Sequence, residues 1–191
     1  MLRSSTTPYQ GRCAVHGGRS TIGIDSYFSD LSPLVFPEFE LFTSVTTIGS
    51  NSTIANSGFA AKQIKITLPN SITTLWQKVF TSSNFYAQDR LVIPASNINS
   101  ESAFAGITTL TDIILTAATF TNLKGYNLLG GNTAANIVFP NATAAPPAAG
   151  TMGTFKGYIY VPDALVDAWK AVNGWSALAS RILPLSEWIT V

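Results

Sequence analysis

A short pattern recurs along this chain: a strand-like apolar triplet that stops at proline. It reads Ile66-Thr67-Leu68-Pro69, Leu91-Val92-Ile93-Pro94, Ile137-Val138-Phe139-Pro140 and Ile159-Tyr160-Val161-Pro162. The prolines are 25, 46 and 22 residues apart, and Ile113-Ile114-Leu115-Thr116 sits near the centre of the long gap without a proline. A period of this size is the mark of a solenoid, in which each coil adds one strand to a growing parallel sheet. Proline suits the strand end because it lacks the N–H that would continue the ladder. A solenoid offers a broad surface rather than a cleft, so binding or structure is expected before catalysis.

The repeat region is read as 34–162. Within it Ser44-Val45-Thr46-Thr47-Ile48-Gly49 matches Ser71-Ile72-Thr73-Thr74-Leu75-Trp76 at an offset of 27, apolar on apolar. Phe59, Phe80, Phe104 and Phe155 are expected to fill the space between the two walls of a coil. The run Asn141 to Gly150 is low in complexity and is read as an exposed loop.

The flanks differ. Residues 1–33 show no regular period and hold the turn-like Gly17-Gly18-Arg19-Ser20, so they are read as an irregular N-terminal arm, either a tail or a segment that orders against a partner. From 163 to 191 the period changes. Asp163 is placed to cap a helix, and Leu165, Val166, Trp169 and Val172 recur at helical steps until Asn173-Gly174 stops them. Trp175, Leu178 and Ile182 predict a second short helix ending near Pro184. Trp169, Trp175 and Trp188 are expected to cover the last apolar face of the array.

Only 11% of residues are charged while 46% are hydrophobic, and net charge is +1. No basic stripe exists, so nucleic-acid binding is not expected. No apolar run approaches a membrane span, and the start is not read as a secretory signal. A polar but uncharged surface suits stacked strands with tight turns, and packing against other copies.

Few residues point to chemistry. Cys13 and His16 form a Cys-x-x-His pair, half of a zinc site, yet no second cysteine or histidine exists, and Asp25 and Asp30 are weak substitutes. Glu38 and Glu40 share a strand face and read as solvated carboxylates, not a hydrolytic pair. Asp89-Arg90 reads as a solvated turn pair, and Gly130-Gly131-Asn132 as a turn without the lysine of a phosphate loop. No catalytic residue, metal or cofactor is assigned. Phe85, Tyr86 and Tyr126 are the candidate interaction residues: rings on a flat sheet can stack on sugars or meet another protein, although solenoid core is the competing reading.

Pro69-Asn70-Ser71-Ile72-Thr73-Thr74-Leu75 resembles the strand step of the BspA-like, Treponema-type leucine-rich repeats, and Ser102-Ala103-Phe104 resembles the step that follows it. The stretch Ile159 to Lys170, continuing to Trp175-Ser176 and Arg181 to Glu187, is similar to the C-terminal cap of such proteins in gut Bacteroides-type bacteria and their phages. The resemblance spans about 44–188; the inner repeats lack the family's cysteine-leucine step, and 116–136 departs from the pattern. It implies a β-rich, leucine-rich-repeat-like solenoid with a parallel sheet, an irregular N-terminal arm and a small helical C-terminal cap. It further implies a non-catalytic phage virion protein (fibre, capsid decoration or host-binding component), homo-oligomeric. Such a protein would dock to other virion proteins through residues 1–33 and meet a host surface protein or glycan. A bacterial cell-surface adhesion protein is the alternative.

Overall fold

The computed structural model describes residues 13–14, 21–22, 39–40, 47–48, 66–75, 89–98, 110–123, 135–148 and 156–188. They form three sheets in which every pairing is parallel. The first runs in the order β1 (Cys13–Ala14), β3 (Phe39–Glu40), β5 (Ile66–Thr67). The second joins β2 (Thr21–Ile22), β4 (Thr47–Ile48), β6 (Thr74–Leu75), β8 (Asn97–Ile98) and β10 (Asn122–Leu123). The third and longest joins β7 (Arg90–Ile93), β9 (Asp112–Leu115), β11 (Asn136–Val138), β12 (Ile159–Val161) and β13 (Ile182–Pro184). Strand β5 lies against β7, so the first and third sheets follow one another along the chain.

From β1 to β10 consecutive strands alternate between the second sheet and the other two. Parallel neighbours therefore never follow one another directly in this part of the chain; each pair is separated by a crossover that makes a strand of the opposite sheet. Register repeats with the spacing seen in the sequence. Leu91, Ile113, Ile137, Ile159 and Ile182 stand side by side across the long sheet. Ile22, Ile48, Leu75, Ile98 and Leu123 do so across the second. The offset of 27 read from the sequence is the register of Thr47 on Thr74.

These residues form strands because β-branched and large aliphatic side chains fit a pleated, half-buried surface. Alternation sorts them. Leu91 and Ile93, Ile113 and Leu115, Ile159 and Val161 point inward and are fully buried. They meet Leu75, Ile98 and Leu123 of the second sheet in one apolar cluster that extends through Phe139 to Trp169, Trp175 and Ile182. Where four of the triplets end in proline, β9 continues into Thr116, whose N–H bonds the Ile93 carbonyl at 3.0 Å.

The corners are stacked as well. Thr121 N–H bonds Ser96 O and Thr143 N–H bonds Ala118 O, while the Thr143 hydroxyl and the Asn141 amide reach carbonyls of Ala118 and Thr116. Short polar side chains thus satisfy backbone acceptors one repeat away, which is a use for the Thr- and Asn-rich composition. The run 141–150 is accordingly not simply an exposed loop: Ala142 and Pro146 are buried, and Pro147 O accepts the Trp175 indole N–H at 3.2 Å.

Two further expectations change. Residues 1–33 are not wholly irregular, since β1 and β2 extend the sheets in register with β3 and β4. The C-terminal segment is only partly helical. A 3-10 turn at Asp163–Leu165 leads into α1 (Val166–Ala171), Gly174 turns the chain at φ 89°, and Trp175–Arg181 is 3-10 with a kink at Leu178. The predicted second helix gives way at Ile182 to β13, because Ile182 completes the inward column beside Ile159. Asp163 does not cap α1: Pro162 stands before the 3-10 turn and Leu165 before α1, neither with a side-chain cap. Trp169 and Trp175 do cover the core, with Phe139 at ring centroid distances of 4.5 and 6.3 Å.

Candidate functional site

The outer face of the long sheet gathers the polar chemistry of the described residues. Each inward isoleucine or leucine column is preceded by a residue on the opposite face. Read across β7, β9, β11 and the positions just before β12 and β13, that column is Arg90, Asp112, Asn136, Tyr158, Arg181. Neighbouring strands stand about 4.8 Å apart, so side chains of one column come within reach of each other.

Asp112 is the only charged side chain buried among the described residues, at 2% exposure. Its Oδ2 accepts from Arg90 Nε at 3.2 Å. Its Oδ1 accepts from the Asn136 amide at 3.1 Å and from the Trp188 indole N–H at 3.4 Å. The Asn136 carbonyl oxygen in turn accepts the Tyr158 backbone N–H at 3.1 Å. Arg181 ends the column by donating to the Lys156 and Gly157 carbonyls. A carboxylate taken out of water needs such partners, and three donors from three different segments supply them. Each bond crosses from one repeat to another, so the column holds register.

Arg90 therefore does not belong to a solvated turn: it opens β7 and pairs with a buried acid, while Asp89 stays exposed and lends its backbone carbonyl to Thr111 and Asp112. Trp188 does not join the core with Trp169 and Trp175. It crosses to the outer face, where Arg90 Cζ lies 5.6 Å from its ring centroid, a cation–π contact.

Beside this column runs an apolar one: Val92, Ile114, Val138, Tyr160 and Leu183. Val92 and Tyr158 are the exposed large apolar side chains of the described residues, at 49% and 46%. The rings of Tyr158 and Tyr160 sit 6.3 Å apart. Burial raises the Tyr160 hydroxyl pKa above its usual value, with further upward pushes from Tyr158, Asp112 and Glu187. The face thus offers aromatic and aliphatic surface beside two partly exposed arginines, Arg90 and Arg181, a composition suited to contact with a protein or the face of a sugar.

Phe85, Tyr86 and Tyr126 lie outside the described residues, as do His16, Asp25, Asp30, Glu38 and the phenylalanines 59, 80, 104 and 155. Cys13 and Glu40 lie in strands β1 and β3, but their side chains also fall outside the description. Among the described residues no group of three or more His, Cys, Asp or Glu is placed to hold a metal ion, and no helix is long and apolar enough to cross a membrane. Sequence reading passed over Asp112 and Asn136, and it placed Trp188 on the last apolar face of the array rather than beside Asp112. The signal for the first two was present: aligning the repeats on their triplets puts Arg90, Asp112 and Asn136 in one column of a chain otherwise poor in charge. Nothing in the repeat announces Trp188, which lies 76 residues from Asp112. No protein-family model, no curated protein and no solved structure matches this chain.

Proposed function

We propose that this chain is a short solenoid of the leucine-rich-repeat type and a non-catalytic structural component of a phage virion. In this reading it is a fibre, capsid decoration or host-binding part that docks through residues 1–33 and displays the repeat outward. The observation that carries the proposal is the stack itself: parallel strands at a step of 22 to 27 residues around one apolar core, with a broad outer face. Such an array carries load and presents surface. The resemblance of 159–187 to a cap of phage and bacterial repeat proteins supports the same direction. Exposed Val92 and Tyr158 favour a second reading, a bacterial surface adhesion module that meets protein or glycan with this face.

Light scattering on the full chain and on a truncation lacking residues 1–33 tests the proposal, with circular dichroism to confirm that the truncation stays folded. An oligomer that becomes a folded monomer on truncation supports assembly through the N-terminal segment. A full-length monomer across the concentration range rules out self-assembly by this route and leaves the stand-alone binding module as the better reading.

A further inference from the structure

Val138 presents a problem of position. Its neighbours Ile137 and Phe139 point into the core, so it points outward, and it lies outside the apolar cluster between the sheets; yet its exposure is 0%. Something covers it from outside. After β13 the chain makes a single 3-10 turn, Leu185–Glu187, which packs on β12, and Trp188 then reaches across the same face to Asp112 and Arg90.

We infer that residues 185–188 form a strap that closes over the outer face of the long sheet and opens as a unit, with Trp188 as its latch and Asp112 as the catch. The inference deepens the reading of this face as an interaction surface: the strap occupies the centre of the surface that a partner would use. Three features make it separable from the fold. Its hold includes few hydrogen bonds. Ser186 N–H bonds Asp163 Oδ1 at 3.0 Å, Trp188 N–H bonds Leu185 O within the strap, and the indole N–H bonds Asp112 Oδ1. Its outer residues Ser186 and Glu187 are exposed, and none of Leu185, Ser186, Glu187 or Trp188 belongs to the apolar cluster between the sheets. Asp112 is not stranded when the strap leaves, because Arg90 and Asn136 still donate to its two oxygens. Opening therefore costs the indole hydrogen bond and the Arg90–Trp188 contact at the catch and the Ser186 bonds to Asp163, leaves no unpaired buried charge, and uncovers the centre of the column Val92, Ile114, Val138, Tyr160 and Leu183.

Hydrogen exchange on the unaltered chain, followed by NMR, tests this. The Trp188 indole N–H and the Ser186 amide are expected to exchange at a common rate, at least about tenfold faster than the Ile137 and Phe139 amides that bond across to Tyr158 and Tyr160. If the indole and Ser186 exchange only together with the β11 amides, the strap is part of the global fold and the inference fails. It fails equally if the indole exchanges far faster than Ser186, since the segment then does not move as one. A second measurement uses Trp188→Ala, which is expected to keep the far-ultraviolet dichroism of the parent and bind severalfold more of an apolar fluorescent dye. Loss of the dichroism, or unchanged dye binding, overturns the proposal. The exchange result does not depend on any partner, so it stands or falls separately from the proposed function.

Discussion

At the scale of single residues, Asp112 is the position where chemistry and architecture meet. Its carboxylate is buried, and its donors come from β7, β11 and the C-terminal strap. Asp112→Ala leaves Arg90, Asn136 and Trp188 without their acceptor. Breaking a buried pair by removing one partner costs about 3–5 kcal/mol. Arg90 keeps some access to water and can rehydrate, so the lower end, about 3 kcal/mol, is expected from urea unfolding at unchanged slope. Asp112→Asn keeps an acceptor and the shape but loses the charge, and about 1–3 kcal/mol is expected. Asp163 gives a pH signature. Hydrogen bonds from the Ser186 hydroxyl, and then from its backbone N–H, hold the Asp163 carboxyl below its usual 3.8. The unfolded chain takes up that proton at higher pH than the folded one. The contribution is thus complete above pH 3.8 and fades as pH falls through the lower folded value. Asp163→Asn is expected to flatten that part of a stability-against-pH curve, read by thermal melts in acid. None of these roles follows from residue type. An aspartate on the outer face of a strand is ordinarily solvated, and only the neighbouring repeats and the C-terminal strap surround Asp112 with three donors.

The strands themselves were legible because they depend on local pattern. The triplets ending at Pro69, Pro94, Pro140 and Pro162 mark β5, β7, β11 and β12, and the proline-free copy marks β9. Ile137 stands in the middle of the long sheet between Ile113 and Ile159, fully buried. Ile137→Ala is expected to cost about 2–5 kcal/mol, because neighbours fixed on both sides cannot collapse into the cavity. Val92, half exposed on the outer face of the same sheet, is the control: Val92→Thr is expected to stay within about 0.5 kcal/mol. The C-terminal elements were less legible. Trp175, Leu178 and Ile182 carry helical spacing, but the spacing is equally met by a kinked 3-10 segment that hands Ile182 to a strand. Local periodicity cannot distinguish these, since the choice rests on the open sheet edge beside Ile159. Gly174 is the hinge of that change, at φ 89° and ψ −46°. Such a backbone is costly for any residue with a Cβ, so Gly174→Ala is expected to lose about 1–3 kcal/mol in the same unfolding assay.

Across the whole molecule, neighbouring parallel strands support one another, and the apolar core between the sheets must be covered where the sheets end. Trp169 and Trp175 close one end by packing on Phe139 and on each other. A chain ending at Pro162 is therefore expected to expose Phe139 and Ile159 and to aggregate on expression, which gel filtration reads directly. The Trp169 indole N–H is buried without a partner, a cost of about 1–3 kcal/mol that the surrounding ring contacts must offset. The sequence by itself determined the repeat length, the positions of the triplet strands β5, β7, β9, β11 and β12, and the offset of 27 between β4 and β6, since these follow from a pattern that each repeat states alone. Only the tertiary structure decided which polar residues meet. Arg90, Asp112 and Asn136 come from three repeats, and Trp188 arrives over 76 residues from Asp112. A local pattern specifies what one strand buries. The partners of its other face depend on how the crossovers bring distant segments side by side, and no single repeat contains that information.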